Sequence, residues 1–211
     1  WGIWIDKMVF WFVRGETVPG TYISLFSDYD IAVYIANLSM IPGLVFFIVA
    51  SETTFYVELR KFLVSLNRGT YSEIQHGKSA VLRGARDGLI DQSLFQGVVS
   101  IALVLLAPGI AGLFGVTTST FRIVLCGVYL HLLLLTLINF HFYLEFYTAA
   151  LVSALLFFLI NFGGALTSLP GVPSLAPGLS YLIACGTSAV YAGATLFRSS
   201  KRIDRIILAG A

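Results

Sequence analysis

The chain has 211 residues, of which 57% are hydrophobic and only 11% charged, with a mean hydropathy of +0.87. A soluble domain carries roughly a quarter charged residues, so this composition cannot cover a water-facing surface, and it excludes a soluble globular fold. The formal net charge of +2 carries little information; the placement of the Lys and Arg residues matters more, and no nucleic-acid partner is expected.

The sequence opens inside an apolar stretch, residues 1–13, with Asp6 and Lys7 in its middle. It has no basic leader and no small-residue cleavage site, so it is not a signal peptide. It is also shorter than the ~20 apolar residues a membrane helix needs, and it reads as the later turns of a helix that begins upstream. Five runs of sufficient length follow, at about 31–51, 94–114, 121–143, 148–167 and 179–197. None has an acid or base in its central part, whereas Glu52 and Arg122 sit at ends, where long side chains reach the headgroups. Pro42 and Pro108 fall inside runs, and membrane helices tolerate such breaks when neighbours satisfy the freed backbone. The expected fold is an all-α polytopic membrane bundle, with the first helix incomplete. Ala150/Ala154, Ser153 and Ala189/Gly193 are small residues at helix-packing spacing.

Residues 52–92 are more than a loop. Phe55, Leu59, Phe62, Leu63 and Leu66 recur at helical spacing, and Asn67-Arg68-Gly69 then stops the helix. Thr70-Tyr71-Ser72-Glu73 has the pattern of a capping box. It would start a second helix with an apolar stripe of Ile74, Val81, Leu82, Ala85 and Leu89 leading into the span at 94. Two readings follow: two helices lying on the headgroups, or a docking surface for a cytoplasmic partner with Arg60, Lys61, Arg83 and Arg86 as contacts.

Basic residues also settle an expected orientation. Arg60, Lys61, Arg68, Lys78, Arg83 and Arg86 share one side with Arg198, Lys201, Arg202 and Arg205 of the tail, while the alternate links are nearly free of positive charge. The positive-inside rule makes the basic side, including the C-terminus, cytoplasmic. The link at 168–178 is rich in Pro and Gly and reads as an extracytoplasmic turn.

No catalytic constellation, phosphate loop or metal-ligand spacing occurs, so neither an enzyme nor a cofactor is expected. Cys126 and Cys185 lie in apolar runs and read as buried small hydrophobes. His131 and His141 read as hydrogen-bonded packing residues rather than relay groups. The notable feature is the pair Asp6-Lys7, flanked by Trp4 and Trp11. Ions at membrane depth are costly unless paired or hydrated. Adjacent residues do not share a helix face, so each needs its own partner. Either the pair anchors a helix end at the interface with Trp4 and Trp11 as belt residues, or it lines a polar path for a charged substrate or coupling ion.

Gly2-x-Trp4-x-Asp6-Lys7-x-x-Phe10-Trp11 resembles a motif of the PelG family of inner-membrane exopolysaccharide exporters. Further matches follow in order: Tyr29-Asp30, then Leu38-Ser39-x-Ile41-Pro42-Gly43, then Glu52-Thr53-x-Phe55, and Leu137-x-Asn139-x-x-Phe142-Tyr143-Leu144. The resemblance extends to about residue 205 and departs from the family pattern over residues 206–211. It implies a MOP-superfamily, MATE-like flippase of twelve helices in two lobes, with this chain as the C-terminal six-helix lobe. It also implies a polysaccharide substrate rich in amino sugars, a cytoplasmic glycosyltransferase and cyclic-di-GMP-responsive membrane partners, and a role in biofilm formation. It adds Asn139 to the pathway candidates Asp6, Lys7, Trp4 and Trp11. An ion-coupled antiporter or lipid-linked precursor flippase, and a non-transporting scaffold for a polysaccharide synthase, are the competing readings.

Overall fold

Inside a bilayer no water is present to pair with backbone N–H and C=O groups, so apolar runs of this length fold as helices that satisfy themselves. The computed structural model of the chain, which describes residues 2–169 and 175–200, follows this rule. Its helices are α1 (Ile5–Arg14), α2 (Ser27–Leu38), α3 (Ile41–Ala50), α4 (Tyr56–Arg68), α5 (Tyr71–Phe114), α6 (Thr118–Tyr143), α7 (Tyr147–Leu166) and α8 (Leu179–Ser200). Among the described residues five helical stretches are long and apolar enough to cross a membrane, and they contain the runs read from the sequence apart from Thr167, the last residue of the fourth. The protein is an all-α polytopic bundle. A small hairpin of β1 (Glu16–Thr17) and β2 (Ser24–Leu25), paired antiparallel, links α1 to α2. Pro170 to Ser174 of the distal link, and Lys201, Arg202 and Arg205 of the basic tail, lie outside the described residues.

Both intramembrane prolines disturb a helix, and beside each a side chain from a neighbouring helix donates to a backbone carbonyl. Pro42 has no N–H to give back to the preceding turn, and α2 ends just before it. Ser39 and Met40 close the end with N–H bonds to Ala36 O (3.0 Å) and Asn37 O (3.1 Å). The Ser39 carbonyl, one turn before Gly43, accepts from Gln96 Nε2 of α5 at 2.9 Å. Gly43 lets both side chains close in, because a Cβ would lie 2.3 Å from Gln96 Oε1 and 2.6 Å from Leu132 Cδ2 and would push them aside. In α5, Pro108 frees the carbonyl of Val104, to which Arg122 Nε of α6 donates at 3.3 Å.

Residues 52–92, read from the sequence either as two helices on the headgroups or as a docking surface for a cytoplasmic partner, form a helical hairpin. A π-helical turn, Ser51–Phe55, carries α3 into α4, and α5 runs unbroken for 44 residues. At 1.5 Å per residue that is roughly 66 Å of helix, about twice the hydrocarbon thickness. The second amphipathic helix and the following span are therefore one helix. A Cβ on Gly77 would meet Phe62, and one on Gly84 would meet Phe55, so α4 runs back antiparallel along the first half of α5. Phe55, Leu59 and Phe62 pack with Val81 and Ala85 in one buried cluster, joined at its base by Phe140, Leu144 and Phe146. The apolar stripes face each other in a hairpin instead of facing lipid, and only flanking residues such as Leu63 remain exposed. The predicted capping box is present: Thr70 N–H donates to Glu73 Oε2 at 2.7 Å and Glu73 N–H to Thr70 Oγ1 at 3.4 Å.

Beside this hairpin, α6 packs on α8, α8 on α7, and α1 and α2 close the bundle against α7 and α6. Phe121, Val124, Leu125 and Val128 of α6 are fully enclosed. Ala150 and Ser153 are buried as their spacing suggests, whereas Ala154 faces outward.

Candidate functional site

The β1–β2 hairpin turns the chain back on itself, so the start of α2 returns beside α1. Phe10 meets Tyr29 edge-on at 4.9 Å between ring centroids, fixing the approach. Tyr29 OH then donates a short hydrogen bond to Asp6 Oδ2, and both residues are fully buried. Lys7, 6% exposed, donates from Nζ to Ile3 O at 2.7 Å and stays 3.9 Å from Asp6 Oδ1. Its ammonium also lies 5.1 Å from the centroid of the Trp4 ring. As adjacency on a helix requires, each member of the pair has found a partner of its own.

A second wall comes from α6, α7 and α8. His131 stacks on Tyr181 (5.7 Å between centroids) and meets Phe157 edge-on at 5.3 Å. Cys185 Sγ lies 3.7 Å from His131 Nδ1, and Asn161 Nδ2 donates to Gly2 O at 3.0 Å. The Asn161 bond to Gly2 O ties α7 to the turn just before α1, so the two walls border one cluster. Within it Asp6 Oδ1, Asn161 Oδ1 and His131 Nε2 are buried without a hydrogen-bond partner. Such groups each cost ~1–3 kcal/mol when left unmade, and here they sit around a cation and an anion. No group of three or more His, Cys, Asp or Glu among the described residues is placed to hold a metal.

The candidates from sequence distribute unevenly. Asp6 and Lys7 form the centre of the cluster. Trp4 is 53% exposed and covers Lys7 from its rim. Trp11 donates from Nε1 to Asp30 Oδ2 at 2.8 Å, and Asp30 also accepts from Phe26 N–H at 3.0 Å, so Trp11 pins α1 to α2. Asn139 is exposed on α6 with its amide donating to Leu135 O at 3.0 Å, outside the cluster. Arg60, Lys61, Arg83 and Arg86 are exposed on the hairpin, where Lys61 and Arg83 line a cleft of about 590 Å3 together with Glu58, Glu73 and His76.

Tyr29, Asn161, Tyr181 and Cys185 were not singled out as site residues from sequence. For Asn161 a signal existed, a lone amide inside an apolar run; for Tyr29 and Tyr181 the signal is the packing itself. Of the cysteines only Cys185 is buried, and Cys126 faces outward from α6, against expectation. His141 is a packing residue as read from sequence, with Nδ1 2.7 Å from Leu137 O and Nε2 3.1 Å from Thr195 Oγ1.

Comparison with protein families gives one finding: the family described as "PelG: Putative exopolysaccharide Exporter (EPS-E)" matches residues 1–207. Neither a curated protein nor a solved structure matches the chain.

Proposed function

The chain belongs to the PelG family of exopolysaccharide exporters, and on that premise we propose that it forms the C-terminal lobe of a MOP-type flippase in a bacterial inner membrane. In this reading α1 and the five spans correspond to the second half of a twelve-helix transporter, with the α4–α5 hairpin and the C-terminus in the cytoplasm. The lobe moves a growing polysaccharide outward as part of biofilm production. It catalyses no bond chemistry.

The observation that carries the proposal is the buried Asp6–Lys7–Tyr29 unit, whose remaining polar atoms on Asp6, Asn161 and His131 lack partners. A purely structural lobe gains nothing from burying two ions where an apolar pair packs as well. The ions support a place on the path of the polymer. The free Oδ1 of Asp6 also favours a second reading, in which this carboxylate carries a coupling ion for an antiporter or a lipid-linked precursor flippase.

Export measured with Asp6→Asn or Lys7→Met in the full-length protein tests the path. Loss of secreted polysaccharide at normal membrane abundance is the expected result, and full export by both variants would return the pair to an anchor and favour the scaffold reading. The exposed Arg60, Lys61, Arg83 and Arg86 are assigned to contact with a cytoplasmic glycosyltransferase or a cyclic-di-GMP-responsive membrane partner. Replacing all four with Ala is expected to weaken co-purification of those partners, and undiminished recovery would remove that assignment.

A further inference from the structure

Away from the Asp6 cluster, a second set of buried polar groups meets the break between α2 and α3. Gln92, Gln96 and Ser100 recur every four residues on one face of α5, all buried, with Thr136 of α6 opposite. Their hydrogen bonding is incomplete in a particular way. Thr136 Oγ1 donates to Gln92 Oε1 at 2.7 Å, which leaves Gln92 Nε2 with no acceptor. Gln96 Nε2 donates to Ser39 O at 2.9 Å, with Ser100 Oγ at 3.4 Å, which leaves Gln96 Oε1 with no donor. An unpaired donor and an unpaired acceptor therefore sit one helical turn apart on the same face, both cut off from solvent.

The broken helix is short of one bond of its own. In a continuous helix Ser39 O would accept from Gly43 N–H. Here that carbonyl takes the Gln96 amide instead, and regular helical bonding resumes with Leu44 N–H to Met40 O at 2.9 Å. Gly43 has no side chain, so Gln96 Oε1 can sit against it.

We propose that the α2–α3 junction is a two-state hinge and that Gln96 is its latch, a positioning residue for the movement of α3. In the state seen here Gln96 holds Ser39 O and the helix is broken. In the other state Gln96 swings along α5 to accept from Gln92 Nε2, and Ser39 O passes to the Gly43 N–H. Gln96 Nε2 gives up Ser39 O and its longer bond to Ser100 Oγ, and two bonds are made, Gln92 Nε2 to Gln96 Oε1 and Gly43 N–H to Ser39 O. Packed interiors are bistable rather than continuously deformable. Pro42 keeps one carbonyl unpaired in both states, so the junction never becomes a rigid uninterrupted helix.

The test uses the full-length protein in lipid nanodiscs, with Cys126→Ser removing the exposed native thiol. Spin labels at Tyr34→Cys on α2 and Ile48→Cys on α3, both exposed positions, report distances across the junction by pulsed dipolar spectroscopy. Two distance populations are expected, one matching this structure. Gln96→Leu removes the latch and depletes the matching population, whereas Gln92→Leu removes the alternative partner and enriches it. Weights that both substitutions leave unchanged, or move in the same direction, overturn the proposal. If Gln96→Leu does not reach the membrane, Gln92→Leu decides alone: enrichment supports the hinge, and unchanged weights overturn it. The readout is independent of export, so it stands or falls separately from the transport assignment.

Discussion

Lys61 and Glu58 on the hairpin approach to 2.6 Å, whereas Lys7 and Asp6 in the bundle remain 3.9 Å apart. Distance alone would rank the first pair as the more important. Burial reverses the order. The Lys61 side chain is 65% exposed, so water and salt screen the pair, and such contacts are worth ~0–1 kcal/mol. The Lys7 and Asp6 side chains are 7% and 0% exposed, and removing one partner strands an uncompensated charge in a medium that cannot solvate it. The hairpin is held by its apolar seam and tolerates change in its charges, whereas the bundle cluster depends on the Asp6 carboxylate that Lys7 and Tyr29 share.

The sharpest way to break this contrast is Asp6→Ala. It leaves both the Lys7 ammonium and the Tyr29 hydroxyl without their anion, and a cost of ~3–5 kcal/mol is expected. Thermal unfolding of the purified protein in detergent reads that loss, and a shift no larger than that of a surface variant would end the distinction. A smaller effect is expected from Thr70→Ala, which removes the side-chain half of the capping box at the start of α5 and costs about 1 kcal/mol. Faster amide hydrogen exchange confined to the first turn of α5 is its signature. Smallest of all is Lys61→Ala, expected to change stability by less than ~0.5 kcal/mol. A larger loss would mean that the hairpin charges do structural work that the buried seam does not explain.

How legible these regions were in the sequence follows the same physics. Spans were readable because a long apolar run has one stable form in lipid, and the capping box because its partners lie three residues apart. The hairpin was half legible: the stripes of Phe55–Leu66 and Ile74–Leu89 are periodic, but a stripe does not say whether its counterpart is lipid or another helix. The burial of Asp6 and Lys7 was not legible, since it depends on Tyr29 arriving from α2 and on His131, Asn161 and Tyr181 from the opposite wall. The same holds for Pro42 and Pro108. The sequence marks both breaks, and only the fold shows Arg122 taking the carbonyl that Pro108 frees and Gln96 taking the Ser39 carbonyl beside Pro42.

We propose that the buried cluster serves transport and is not merely a packing solution. Tyr29→Phe tests it most directly, because it removes one hydroxyl and keeps the ring that packs against Phe10. Hydrogen bonds to charged groups contribute ~1.5–3 kcal/mol, so the variant should remain folded and inserted. Secreted polysaccharide measured at matched membrane abundance is predicted to fall well below wild type. Wild-type secretion from Tyr29→Phe would contradict the account and leave the Asp6 cluster as a structural feature of the bundle.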